Sequence, residues 1–125
     1  MSDTHSAITK SEEARDKVTI APTVLLTVAR YATLGVEGVA RMGSTPGGVD
    51  RIFRRNPAAS GVMMVVNNQD RSVACDVYIV VEPNVSMREV SYNVQREVAR
   101  AIHEIVGMAV LAVNVHIEDV AYDVR

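Results

Sequence analysis

The stretch SVACDVYIVVEPNVSMREVSYNVQREVARAIHEIVG, residues 72–107, decides the fold. It opens by alternating: Val73, Cys75, Val77, Ile79 and Val81 fall on one side, Ala74, Asp76, Tyr78 and Val80 on the other. Side chains repeat every second residue in a strand, so the first, wholly apolar set predicts a core face and the second an amphipathic one. Pro83 and Asn84 end the strand. Ser86 and Glu89 then form an S-x-x-E capping box, in which each side chain can satisfy the other's backbone donor. Val90, Val94, Val98, Ala101, Ile102 and Ile105 make one helical stripe, with Arg88, Glu97, Arg100 and Glu104 off it and Gly107 as the stop.

Outward from this unit, Val110 to Glu118 reads as a closing strand, with Leu111, Val113, Val115 and Ile117 inward and Asn114, His116 and Glu118 outward. Before it, Val62 to Val66 is β-rich, and Asn67-Asn68-Gln69-Asp70-Arg71 tolerates turn geometry, so a hairpin joins it to the strand at 72–82. Ala21-Pro22 suits a first helical turn, where the missing proline N–H has no partner anyway. Leu25, Val28, Ala29 and Ala32 then form a buried stripe that Gly35 and Gly38 stop near Leu34, and a short strand at Lys17–Ile20 precedes it. From Ala40 to Ser60 the pattern dissolves into a long loop, within which Val49, Ile52 and Phe53 are spaced for a short helix. So long a loop in a small domain is either mobile or functional. Residues 1–16 hold few apolar side chains and are expected to be a disordered tail. The organisation is thus a tail at 1–16 and a single domain at 17–125 with a flexible, arginine-containing insertion at 41–60.

The order strand-helix-strand-strand-helix-strand predicts an α+β two-layer sandwich, one antiparallel sheet covered on one face by two helices. Ferredoxin-like and KH-like arrangements both use these elements.

Composition removes several classes. At 125 residues one domain is expected, burying roughly two-thirds of the surface the unfolded chain exposes. A net charge of -2 gives no global basic field for nucleic acid or anionic lipid, so such binding needs a local patch. The one Cys cannot form an internal disulfide, which points to a reducing, cytoplasmic compartment. No apolar run approaches the roughly 20 residues a membrane-spanning helix needs, and the N-terminus lacks a signal pattern.

Chemistry-bearing residues are sparse. Gly43-Ser44-Thr45-Pro46-Gly47-Gly48 lacks the Gly-Lys-Ser/Thr ending of a phosphate loop and reads as a connector. Arg41, Arg51, Arg54 and Arg55, opposed only by Asp50, leave residues 40–56 with a local charge of +3. Arg51, Arg54 and Arg55 are therefore the candidates for contact with an anion, with Phe53 able to stack a base. Phe53 equally fits an apolar face with Val49 and Ile52, and the arginines a solvated one. The histidines, His5, His103 and His116, have no metal-ligand spacing, and no metal or cofactor is expected. Asp76 and His116 can share the open sheet face, but in the ferredoxin-like order the first strand separates them by about two spacings of ~4.8 Å, too far for a direct hydrogen bond, so a solvated or interface histidine is expected rather than a catalytic dyad. Cys75 falls on the apolar face and reads as a small buried hydrophobe.

The outward sheet face says more. Ala74, Tyr78, Val80, Ala112 and either Met63/Val65 or Met64/Val66 are apolar there, beside Asp76, Asn114, His116 and Glu118. A wholly solvated face is more polar than this, so a protein interface is expected through Tyr78, Val80, Ala74, Asn114 and His116.

Several blocks together carry a resemblance: Val18-Thr19-Ile20 before a helix, Gly35-Val36-Glu37-Gly38-Val39-Ala40, the strand Asp76 to Glu82, the helical Val94-Gln95-Arg96-Glu97-Val98, and Val113 to Val120. From about Lys17 to Val120 the chain resembles the alkaline shock protein, or envelope stress response, family of small bacterial proteins, best known from Gram-positive bacteria. The resemblance implies a non-enzymatic stress protein of the cytoplasm, without catalytic or cofactor residues. It also implies homo-oligomers and, for some members, attachment to the inner side of the cell membrane through a membrane-anchored partner. The chain departs from the common pattern in the Met42–Ser60 insertion and in its short C-terminal tail, and docking specificity usually resides in such segments. The expected role is a self-assembling or scaffolding module beside the membrane, and the alternative is a nucleic-acid-binding or regulatory module using the arginine loop.

Overall fold

The computed structural model describes residues 19–46 and 61–122. Their order is helix α1 (Pro22–Leu34), strands β1 (Val39–Met42), β2 (Val62–Asn67) and β3 (Ser72–Val81), helix α2 (Met87–Ala101) continued by a π-helical turn (Ile102–Val106), and strand β4 (Ala109–Val120). The expected tail at 1–16, the short helix around Val49 to Phe53 and Lys17 and Val18 of the expected first strand lie outside the described residues. Thr19 and Ile20 carry no strand pairing. The fourth strand is instead β1, in the segment that reads as the start of the long loop; four residues are too few to show a period.

β3 is the organising strand. On one flank it pairs antiparallel with β1 near its C-terminal end (Val39↔Val81, Met42↔Ile79) and with β2 along the rest (Val62↔Val77 to Asn67↔Ser72). On the other flank β4 runs parallel to it, from Ser72↔Ala109 to Val81↔Val120. Parallel neighbours need a crossover, and α2 with its π turn supplies one by carrying the chain back to the start of β3. The sheet is therefore mixed, where the element order had suggested an antiparallel one.

Both helices lie on the same face, giving an α+β two-layer domain. Val73, Cys75, Val77, Ile79 and Val81 of β3 are buried against Leu25, Leu26 and Ala29 of α1 and Val90, Val94, Val98 and Ile102 along α2 and its turn. Thr33 is also fully buried, its hydroxyl satisfied by donating to the Ala29 carbonyl at 2.8 Å. Pro22 opens α1 as its first residue. Ser86 caps α2 by accepting the Glu89 N–H at 3.3 Å.

Two apolar residues depart from their expected faces. Ile105 is 67% exposed because the turn ends in a π-type bond, Gly107 N–H to Ile102 C=O at 3.1 Å. The wider turn shifts the helical phase, so Val106 points inward in its place. Leu111 is 70% exposed because a register shift between the pairs at Val73 and Ala74 leaves it without a partner on β3. Gly38, at φ 101° between α1 and β1, lies so near Val90 that a Cβ would stand 2.6 Å from its Cγ2. No L side chain suits that backbone or that space.

Removing a fully buried side chain from β3 should therefore cost far more than removing one from the uncovered face. Ile79→Ala is expected to lower unfolding free energy by about 2–5 kcal/mol in urea titration. Val65→Ala, at a side chain 73% exposed, should stay within about 0.5 kcal/mol.

Candidate functional site

The face of the sheet away from the helices is built in rows by the register. Val65, Ala74 and Ala112 form one row, Met63, Asp76 and Asn114 the next, and Tyr78 stands beside His116. Between the two methionine sets the structure is unambiguous: Met64 and Val66 pack against the core, leaving Met63 and Val65 on the open face. Ala74 and Tyr78 are half-buried, and Asn114 and His116 are exposed. Val80 differs, since only 5% of it is accessible although it stands apart from the core cluster, and it offers little surface to a partner.

At the centre Asp76, Tyr78 and His116 meet. The His116 Nε2 lies 2.9 Å from Asp76 Oδ1, within hydrogen-bonding distance. The separation by an intervening strand expected from the ferredoxin-like order does not occur, because β4 is the direct parallel neighbour of β3. The His116 and Tyr78 rings stack, with centroids 4.4 Å apart and planes at 12°. Burial first, and then the carboxylates of Asp76 and Glu118, hold the Tyr78 phenol above its ordinary pKa of 10.0.

Glu118 reaches across β3 from β4 and accepts the Ser44 N–H at 2.9 Å. Beneath it the Gly43 N–H donates to the Tyr78 carbonyl at 2.6 Å. A Cβ on Gly43 would collide with the Glu118 carboxylate and stand 3.2 Å from the Tyr78 carbonyl carbon, so glycine is what permits this close crossing. In sequence Gly43 belongs to a glycine-rich connector, and nothing local marks it as part of the sheet face.

Chemically, this arrangement is suited to binding. The Asp76–His116 pair has side chains 37% and 43% exposed, open to water, and no nucleophile is in contact with the histidine among the hydrogen bonds of the described residues. Cys75 is turned into the core, where burial and then the Asp76 charge push its thiol up to about 11. Among the described residues no group of three or more His, Cys, Asp or Glu could hold a metal ion. Away from this face, a shallow cleft of 290 Å³ carries Glu37, Glu82 and Glu89, with Ser86 committed to the helix cap. Arg51, Arg54 and Arg55, the candidates for anion contact, lie outside the described residues.

Two measurements check this description. The exposed Asp76–His116 pair should show a coupling below about 1 kcal/mol in a double-mutant cycle with Asp76→Asn and His116→Gln. Cys75 should resist alkylation in the folded protein at pH 8 and react on unfolding. Because its thiol is raised from 9.0 in the unfolded chain to about 11 in the fold, the stability it contributes is complete below pH 9. That contribution is lost as pH rises toward 11, and Cys75→Ala should remove this part of the alkaline decline.

Comparison of the sequence with known proteins places the chain among relatives. Residues 10–122 match the sequence pattern of the alkaline shock protein 23 family, described as having a cell envelope-related function. An uncharacterized protein of Streptococcus pyogenes, Spy1535, is 29% identical over 104 residues, covering 83% of this chain and 78% of its own. The uncharacterized YloU of Bacillus subtilis is 29% identical over 86 residues, covering 69% of this chain and 70% of its own. A second Streptococcus pyogenes protein, Spy1614, also uncharacterized, is 30% identical over 86 residues, with 69% of each chain covered. No solved structure gives a significant match.

Proposed function

The chain belongs to the alkaline shock protein 23 family, whose function is cell envelope-related, and from that premise we propose that it is a non-enzymatic stress-response protein of the cytoplasm. It works as a self-assembling or scaffolding module beside the inner side of the cell membrane. The observation that carries this reading is the open sheet face, where Met63, Val65, Ala74, Tyr78 and Ala112 surround the Asp76–His116 pair and, among the described residues, no helix lies over them. An aromatic side chain with apolar neighbours and a few oriented polar groups is the composition of a protein-binding patch. Among the described residues no helix is long and apolar enough to cross a membrane. Attachment to the envelope, on this reading, is through a membrane-anchored protein docked on this face.

Introducing a charge at the centre of the patch tests the reading. The parent protein should form assemblies in light scattering at high concentration and be recovered in part with the membrane fraction of cells. Tyr78→Glu, with an unchanged melting temperature, should lose the larger assemblies and move to the soluble fraction. A parent protein that is strictly monomeric and wholly in the soluble fraction overturns the proposal.

The +3 charge of residues 40–56 favours a second reading, contact with nucleic acid. On that reading, glutamate at Arg51, Arg54 and Arg55 together should abolish RNA or DNA binding and its salt dependence in fluorescence anisotropy. Absence of binding by the parent protein at low salt ends it.

A further inference from the structure

β4 is an edge strand: it pairs with β3, and among the described residues no strand pairs with its other side. The hydrogen bonds of β3 show which backbone groups of β4 face outward. Tyr78 sends both its groups to the β1–β2 flank, its N–H to Gly61 C=O at 2.8 Å and its C=O to Gly43 N–H at 2.6 Å. Backbone groups alternate sides along a strand, so Val77 and Ile79 face β4. In a parallel ladder the residues in register with them, Val115 and Ile117, then turn their own N–H and C=O away, to the open edge. By the same parity the Val113 carbonyl faces outward. It is already taken, accepting from Gln95 Nε2 of α2 at 3.1 Å. At the far end the Val120 N–H is taken by its neighbour Asp119 Oδ1 at 2.8 Å.

Among the described residues the edge is thus guarded by side chains on either side of Val115–Ile117 and left open between them. Exposed edges are usually defended by Lys, Pro or inward charges, yet from Ala109 to Ile117 β4 contains no Lys, Arg, Pro, Asp or Glu. Two donors and two acceptors alternate over this short segment, an array complementary to itself under a two-fold rotation. We propose that a second copy of this chain pairs here, β4 against β4 antiparallel and centred on His116, so that Val115 of each copy exchanges both backbone hydrogen bonds with Ile117 of the other. The alternative register centred on Val115 would need the Val113 carbonyl that Gln95 occupies, and one centred on Ile117 runs into the register shift beyond it. Pairing in this way joins two sheets edge to edge and sets the two Tyr78–His116 stacks side by side on one continuous face. This inference deepens the self-assembly part of the proposed function and rests on it.

In that register the two His116 residues form a non-hydrogen-bonded pair with Cα atoms about 4.5 Å apart, inside the roughly 4.4–6.8 Å that a disulfide spans. His116→Cys should therefore cross-link into a dimer under mild oxidation, whereas Ala112→Cys should not, since residue 112 of one copy is far from residue 112 of the other. Cys75 is buried and does not compete. Val115→Pro removes an outward N–H that β3 does not use and should shift the parent dimer to monomer in sedimentation velocity. If the parent protein sediments as a dimer but His116→Cys gives no cross-link, or Ala112→Cys cross-links as well, the edge pairing is wrong while self-assembly stands. A parent protein that is monomeric at every concentration overturns both.

Discussion

Everything in this domain depends on β3 being enclosed. Its apolar set from Val73 to Val81 forms the floor of the core, both its flanks are hydrogen-bonded, and each of the other three strands is held in the sheet through it. A strand in that position must satisfy its backbone on both sides and its apolar face on a third, and the two helices complete the enclosure. The parallel placement of β4 follows from the same constraint. Once α2 packs its valines on the β3 floor, the chain emerging at Gly107 is returned to the start of β3, and the remaining flank can be filled only by running alongside it.

That placement creates the site. A parallel β4 in direct register brings His116 beside Tyr78 and within reach of Asp76, three residues drawn from two strands 40 positions apart at the hydrogen bond. Both helices of the described residues pack on the other face, which leaves His116 and Val65 exposed and Asp76, Tyr78 and Met63 half-buried. The groups gathered there are a stacked Tyr78–His116 pair and a carboxylate within hydrogen-bonding distance of the histidine. The one thiol is directed into the core and suppressed there. Glu118, reaching across β3 to the Ser44 amide, ties the end of this face to the segment that leads into the insertion.

The edge of β4 adjoins this face. Side-chain amide and carboxylate groups close parts of its backbone edge and leave one short self-complementary stretch. The open face and this stretch of the edge meet at His116.

The amino-acid sequence by itself determined the local elements. The alternation at 72–82, the S-x-x-E cap, the valine stripe from Val90 to Val98 and the glycine stop at Gly107 each rest on neighbours within a few residues, and α1, β2, β3, α2 and β4 stand where those signals put them. The α+β two-layer class, the burial of Cys75 and the block pattern of the family were legible for the same reason. The tertiary structure alone decided the rest. β1 is too short to carry a period, and the exposure of Ile105 and Leu111 comes from a π turn and a register shift that no local spacing announces. Whether Asp76 meets His116 is a question of strand neighbourhood, a long-range choice made when α2 docks on the sheet. Periodicity assigns a residue to a face, but only packing between distant elements decides which residue stands next to it.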